Sequence, residues 1–234
     1  MTDSARDTGA EAARAGLARE GAARLVSPHV LAGLAGGIGP GRVALAALMA
    51  AGDLVPAGHG LYANRLARPA VHPKELVPHL APEAYVSLHT VLGECGVANN
   101  PSRTVYAVRA QVPEGRAPDA RLGSRFGEYR LLCMDPSVLA AGTEEDRLEP
   151  GGRYRRATPE RALCDWLYLS DEAGGRLLRP PPLDLDLDGL DRDRVARLSA
   201  AMGIAGPVAG WFARHAEAQA DEAFSEQFAP GLGF

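Results

Sequence analysis

Four glycines and a proline fall within six residues, Gly36-Gly37-Ile38-Gly39-Pro40-Gly41. That punctuation limits what the first quarter of the chain can become. No uninterrupted helix passes through it, because an interior glycine costs about 1 kcal/mol and an interior proline about 3 kcal/mol. The residues on either side are nevertheless spaced for helices. Upstream, Ser27-Pro28 is a helix start: serine caps free amides, and proline suits a first turn where no donor is needed. A short helix follows through Val30, Leu31 and Leu34. Downstream, Arg42–Ala51 predicts a further helix, with Leu45, Leu48, Met49 and Gly52 at i, i+3, i+4 and i+7 on one buried face. The glycine run is then a turn between two helices.

The flanking segments complete a unit. Ala10–Arg24 is alanine-rich, with Leu17, Gly21 and Leu25 on one side, and predicts a first helix. Beyond Gly52-Asp53, the stretches Leu54-Val55-Pro56 and Gly60–Ala63 flank an Ala57-Gly58-His59 turn and predict a two-stranded hairpin. Helix, helix, turn, helix, hairpin is the order of a winged helix-turn-helix, here residues 1–68. Arg65–Pro73, interrupted by Pro69, reads as a linker. A second domain, 74–234, mixes a helix over Glu83–Cys95, strands over Arg103–Val112, Tyr129–Cys133 and Gly151–Arg156, and a helix opened by Thr158-Pro159. Asp191 caps a helix reaching Met202, and Val208–Phe224 predicts a last one. The expected fold class is α+β: an N-terminal winged helix-turn-helix, then a mixed α+β domain and C-terminal helices.

Charge and composition narrow the function classes. The net charge of −4 is uneven: +2 over residues 1–80, −1 over 81–160 and −5 over 161–234. That argues against a general nucleic-acid coat protein but leaves room for DNA contact at the N-terminal end, since phosphate contact depends on local charge. No run of 18 apolar residues marks a membrane span, and Met1–Glu11 lacks the apolar core of a secretory signal; the expected location is the cytoplasm. Cys95, Cys133 and Cys164 are too few and too scattered for a disulfide framework or zinc site, and read as buried free thiols. His29, His59, His72, His79, His89 and His215 show no ligand spacing. No P-loop, Gly-x-Ser-x-Gly or His-Glu-x-x-His motif is present. The chain is therefore expected to be no enzyme, with no catalytic residues, cofactor or metal, and to work by binding. Asp184, Asp186 and Asp188 alternate with Leu183, Leu185 and Leu187 and read as a solvated acidic edge rather than a metal site.

Three segments resemble the antitoxins of AbiE-type abortive-infection systems. They are the wing phrase Gly52–Tyr62, the segment Leu80–Gly96 containing Ala84-Tyr85-Val86-Ser87, and Ala157–Tyr168 containing Pro159-Glu160-Arg161-Ala162-Leu163-Cys164-Asp165. They stand in the family's order and span roughly residues 25–170; the tail after Gly174 departs from the pattern. The resemblance implies a DNA-binding repressor of its own operon. It also implies an antagonist of a nucleotidyltransferase-like toxin, acting without a stable complex with it.

The expected DNA-facing residues follow from the same reading. On the third helix they are Gly41, Arg42, Ala44, Ala47 and Ala51; at and after the wing turn they are His59, Arg65 and Arg68. Base edges are normally read by Arg, Lys, Asn or Gln, and this helix offers one arginine among small residues. The small side chains allow close approach to thymine methyls. Arg153, Arg155 and Arg156 form a second candidate phosphate surface. The expected partner is double-stranded DNA, the chain's own promoter, bound as a monomer or dimer. The alternative is a protein-interaction module whose winged helix no longer reads DNA; a third reading is an enzyme with an unrecognised site in residues 81–234.

Overall fold

The computed structural model describes residues 3–58, 60–100, 102–110, 119–148, 153–170 and 178–228, without side chains for 3–7 and 222–228. The fold is mixed α+β, and the chain divides into two compact units: residues 1–80 with 122–128, and 81–121 with 129–234.

In the first unit, α1 (Asp3–Leu17) is followed by β1 (Leu25–Val26), α2 (Pro28–Ala35) and α3 (Ile38–Ala50). Then come β2 (Leu54–Gly58) and β3 (Leu61–Asn64). Ser27 caps α2 by accepting from the Val30 amide, with Pro28 in the first turn. The break between α2 and α3 is shorter than the glycine run suggests. Gly36 takes a left-handed φ of 82° and Gly37 a φ of 148°, both open to glycine; Ile38, Gly39, Pro40 and Gly41 are already helical. Proline is tolerated there because the first-turn amides lack helical partners anyway. The two helices bend by 108° across that joint.

The strands form a three-stranded antiparallel sheet ordered β1-β3-β2. Leu25 pairs with Ala63, Val26 with Tyr62, and Val55 with Ala63, with an irregularity between Pro56 and Gly58. α1 thus ends at Leu17, short of the expected Arg24, and Leu25-Val26 form a strand outside it. Asn64, buried at the end of β3, donates to the Leu17 and Ala23 carbonyls at 2.8 and 3.0 Å, tying the sheet to the end of α1. Ala13, Leu17, Val26, Leu31, Ala35, Ala44, Leu48 and Leu54 make the core.

The buried stripe of α3 differs from the expected one. Gly41, Ala44 and Leu48 are buried, whereas Met49 is exposed. A Cβ on Gly41 would lie 2.7 Å from Ala32 Cα and 2.9 Å from its nitrogen. The contact of α3 with α2 therefore runs through small residues, which size-based periodicity overlooks. The unit also extends past the expected linker. Arg24 donates to the Ala70 carbonyl and to Glu75, and His72 and Glu75 cap a 3-10 turn, Pro73–Leu76. The short helix α4 (Val77–Leu80) continues it. Lys74, Glu75, Leu76 and Val77 are buried, which moves the seam from residues 68–74 to Leu80.

The second sheet has six strands ordered β6-β7-β5-β4-β9-β8. These are β4 (Tyr85–Val86), β5 (Thr104–Ala110), β6 (Asp119–Ser124), β7 (Gly127–Met134), β8 (Arg147–Leu148) and β9 (Arg156–Ala157). The expected helix over Glu83–Cys95 is instead β4 followed by α5 (Leu88–Glu94). β4 lies between β5, antiparallel, and β9, parallel, so Tyr85 and Val86 are central strand residues. α6 (Pro136–Ala140) follows β7, and α7 (Pro159–Ser170) follows β9. Asp191 caps α8 (Arg192–Ala201) by accepting from the Arg194 amide, and α9 (Ala205–Phe228) closes the described chain. Between α7 and α8, Leu185 and Leu187 are buried while Asp184, Asp186 and Asp188 are exposed. Trp211, His215 and Gln219, one turn apart on α9, bond to the carbonyls of Pro181, Leu185 and Leu183 at 3.0, 2.9 and 3.2 Å.

The α2–α3 contact yields a prediction. Gly41→Ala should cost about 1–3 kcal/mol, because the intruding methyl meets backbone that cannot rotate away. Gly39→Ala, with open space around it, should be neutral or stabilise by roughly 0.5 kcal/mol through the unfolded chain. Urea unfolding followed by circular dichroism measures both; equal midpoints for Gly41→Ala and wild type would refute the close approach.

Candidate functional site

The outward face of α3 carries Arg42, Val43, Ala46, Ala47, Met49 and Ala50. Arg42 and Ala47 are exposed as expected, as is Ala51 just past the helix. Gly41 and Ala44 are not available to DNA: both are buried against the unit's own core, because the helix is turned so that its smallest residues meet α2. Arg65 and Arg68, directly after β3, are exposed. Arg68 Nη1 turns back onto the Arg65 and Ala67 carbonyls at 2.8 and 2.9 Å, leaving the cation at the surface. His59 lies outside the described residues.

The exposed side chains of α2 and α3 include several large apolar ones. Among the described residues, five large hydrophobics are exposed, and four of them lie on α2 and α3: Val30, Ile38, Val43 and Met49. Ile38 is 79% exposed. Arg42 is the one formally charged residue between Ser27 and Gly52. No single helix among the described residues is long and apolar enough to cross a membrane, although the bent pair α2–α3 passes by composition.

The second basic surface is largely spoken for. Arg153 is exposed. Arg155 pairs with Glu144 at 2.8 Å, and Arg156 with Glu94 at 3.7 Å and with Cys95 Sγ at 3.1 Å. Cys95 is exposed, contrary to the expectation of three buried thiols; Cys133 and Cys164 are buried. Burial pushes the Cys164 thiol up to about 12, so it stays protonated and unreactive at neutral pH. Among the described residues no group of three or more His, Cys, Asp or Glu is placed to hold a metal, the Asp184–Asp188 trio included.

Two of the segments that carry the family resemblance meet in one buried network in the second unit. Thr158 receives the Arg161 amide at the start of α7, and one turn on, Arg161 Nε donates to Asp165 at 2.7 Å, both side chains fully buried. Tyr85 of β4 donates to the same carboxylate at 3.1 Å, and Ser87, between β4 and α5, at 2.7 Å. The other guanidinium nitrogens reach the carbonyls of Val138, Leu139 and Ala141 in and after α6. Burial opposes the charge on Arg161, but Asp165 more than offsets it and holds the guanidinium charged. Burial, reinforced by Asp165, raises the Tyr85 phenol far above its ordinary range. A second buried acid, Asp146, accepts from the Thr143 amide at 2.7 Å and from Arg194 at 2.7 Å. Burial pushes its pKa up, yet these bonds hold it below the usual carboxylate range. Periodicity marks α7 as apolar and its Arg161–Asp165 pair as local; it carries no sign that the pair is buried and bonded to β4.

His89 is a further titratable group, on α5. Its ring stacks on Trp166 at a centroid distance of 3.6 Å and lies 5.0 Å from Tyr106. Burial, with Arg130 adding repulsion, lowers its pKa to about 4.

No protein-family model, curated protein or solved structure matches the chain.

Two predictions follow from this geometry. Asp165→Asn should cost about 3–5 kcal/mol, because it strands a buried guanidinium without its counter-charge. Adding Arg161→Met should recover part of that loss; a double variant less stable than Asp165→Asn would show that the carbonyl contacts, not the ion pair, dominate. His89 gives a pH dependence. Its folded pKa lies below the unfolded value, so between pH 6.5 and about 4 the unfolded chain binds the extra proton. Stability should therefore fall as the pH drops through that window. His89→Phe should flatten that part of the stability–pH curve; an unchanged curve would exclude His89 as its source.

Proposed function

We propose that residues 1–80 act as a winged helix-turn-helix that binds DNA, and that the chain is a transcriptional repressor with antitoxin activity of the AbiE type. One observation carries this reading. Three helices and a β1-β3-β2 sheet follow one another in winged-helix order, with α2 and α3 bent by 108° across a two-glycine joint. A bend of that size between short helices is what a helix-turn-helix needs to present its second helix to a major groove. Arg42 near the start of α3 and Arg65 and Arg68 after β3 are exposed cations on the elements that would meet DNA. The antitoxin part rests on the resemblance, and the joining of Tyr85 and Ser87 to Asp165 supports treating two of its segments as one structural unit. The proposed antagonist is a nucleotidyltransferase-like toxin, countered without a stable complex; repression of the chain's own promoter is the proposed DNA function.

The composition of α3 sets the kind of binding. Arg42 is the sole side chain of that helix suited to a bidentate base contact, so affinity rests on phosphates, which position a protein without reading sequence. A second reading, a protein-interaction module, is favoured by the exposed Val30 on α2 and Ile38, Val43 and Met49 on α3.

Titration of the full chain on promoter and random DNA at several salt concentrations separates the two. With Arg65 and Arg68 reaching phosphates, the slope of log K against log salt should be about −2 per monomer and about double for a dimer. Replacing Arg65 and Arg68 with alanine should weaken both DNAs equally, and Arg42→Ala should cost more on the promoter. If wild type binds neither DNA at low salt, the interaction module is the correct reading.

A further inference from the structure

A cavity of about 300 Å³ opens in the second unit, lined by Glu83, Tyr85, Ala110, Pro136, Leu139, Ala140, Arg147 and Arg155. That volume is at the lower end of those that hold small ligands. Its walls are a mix of small apolar side chains and the Tyr85 ring, and two guanidinium groups stand at one side.

The charge balance there is unusual. The Arg147 side chain is 8% exposed. One of its nitrogens is spent on the Leu139 and Ala141 carbonyls, and its guanidinium carbon lies 5.5 Å from the centre of the Tyr85 ring. Carbonyls and an aromatic face satisfy its geometry without neutralising its charge. A guanidinium so far removed from water calls for a close anion. The anion it faces is Glu144, at 3.7 Å, and the other oxygen of that carboxylate bonds Arg155 at 2.8 Å. Glu144 itself is 84% exposed. An exposed, rotatable carboxylate thus bridges two cations, one of them nearly buried, beside a cavity. Arg161, 5.6 Å from the same Tyr85 ring, adds no free charge because Asp165 neutralises it. Glu83, the cavity's own acid, is exposed, so water screens its repulsion of an anionic ligand.

We propose that this cavity binds a small ligand with an oxyanion head, a phosphate ester or a carboxylate, on a compact apolar body, and that Glu144 occupies the head-group position in its absence. The arginines would hold the oxyanion, as guanidinium pairs do through charge-assisted bonds, while Pro136, Leu139 and Ala140 would pack the body.

Calorimetric titration of the full chain with inorganic phosphate, phenyl phosphate and benzoate tests this. Phenyl phosphate or benzoate should bind more tightly than inorganic phosphate, because the body adds apolar contact; which of the two is tighter identifies the head group. Glu144→Gln should tighten binding about fivefold, the equivalent of the roughly 1 kcal/mol a removed competing charge is worth near water. Arg155→Ala should weaken it tenfold or more. Arg147→Ala removes two carbonyl contacts and is a poor test by itself, so Arg155→Ala in the Glu144→Gln background is the control for folding, checked by its melting curve. Absence of binding by all three probes to both wild type and Glu144→Gln overturns the proposal. Binding that Arg155→Ala leaves unchanged overturns it as well.

Discussion

The second unit is organised around one ion pair that no water reaches. Arg161 and Asp165, four residues apart on α7, are fully buried, and neither is tolerable in a core without the other. Desolvating an ion costs several kcal/mol even after relaxation, and the pair repays it only when the remaining donors and lone pairs are also satisfied. Here they are. The carboxylate collects Tyr85 from the central strand β4 and Ser87 from the residue after it, and the guanidinium collects carbonyls from α6 and the residue after it. Apolar contacts alone would let α7 slide or rotate on the sheet at modest cost. A charge pair with fixed partners on both sides does not, because each small displacement leaves a buried polar atom unpaired.

The first unit solves its packing differently. Its helices approach through hydrogen and methyl groups: Gly41 against Ala32, with Ala35 and Ala44 in the same core. The large residues of α2 and α3 are thereby partly freed to face outward, which is how Val30, Val43 and Met49 come to be exposed.

That difference explains which features were legible in the sequence. Caps and proline starts at Ser27-Pro28, Thr158-Pro159 and Asp191 are local chemistry, and the structure has helices at each. The mixed α+β class follows from the same local signals. What depends on neighbours was not legible. Periodicity weights side chains by size, so it set Leu45, Leu48 and Met49 inside and Gly41 and Ala44 outside; Leu48 is buried and Leu45 packs against the core, but Met49 is exposed and Gly41 and Ala44 take the buried positions beside Leu48. Glu83–Cys95 has helical spacing throughout, yet Tyr85-Val86 is drawn into the sheet by β5 and β9. The candidate DNA contacts fared by the same rule: Arg42, Arg65 and Arg68 are exposed, as long cations generally are, and Gly41 and Ala44 are not.

The arrangement of Trp211, His215 and Gln219 against the Pro181–Leu185 carbonyls bears on how the chain keeps to itself. Residues 183–188 alternate leucine and aspartate in the manner of a sheet edge, and an edge with vacant carbonyls invites a strand from another molecule. Two of those carbonyls, Leu183 and Leu185, and that of Pro181 just before them, are taken by helix side chains, so an incoming strand finds these acceptors occupied. The outward aspartates then set like charge against like if two copies approach by this edge. The most strand-like stretch near the C-terminal end is thus made incompetent for templated pairing, by a helix that never forms a strand with it.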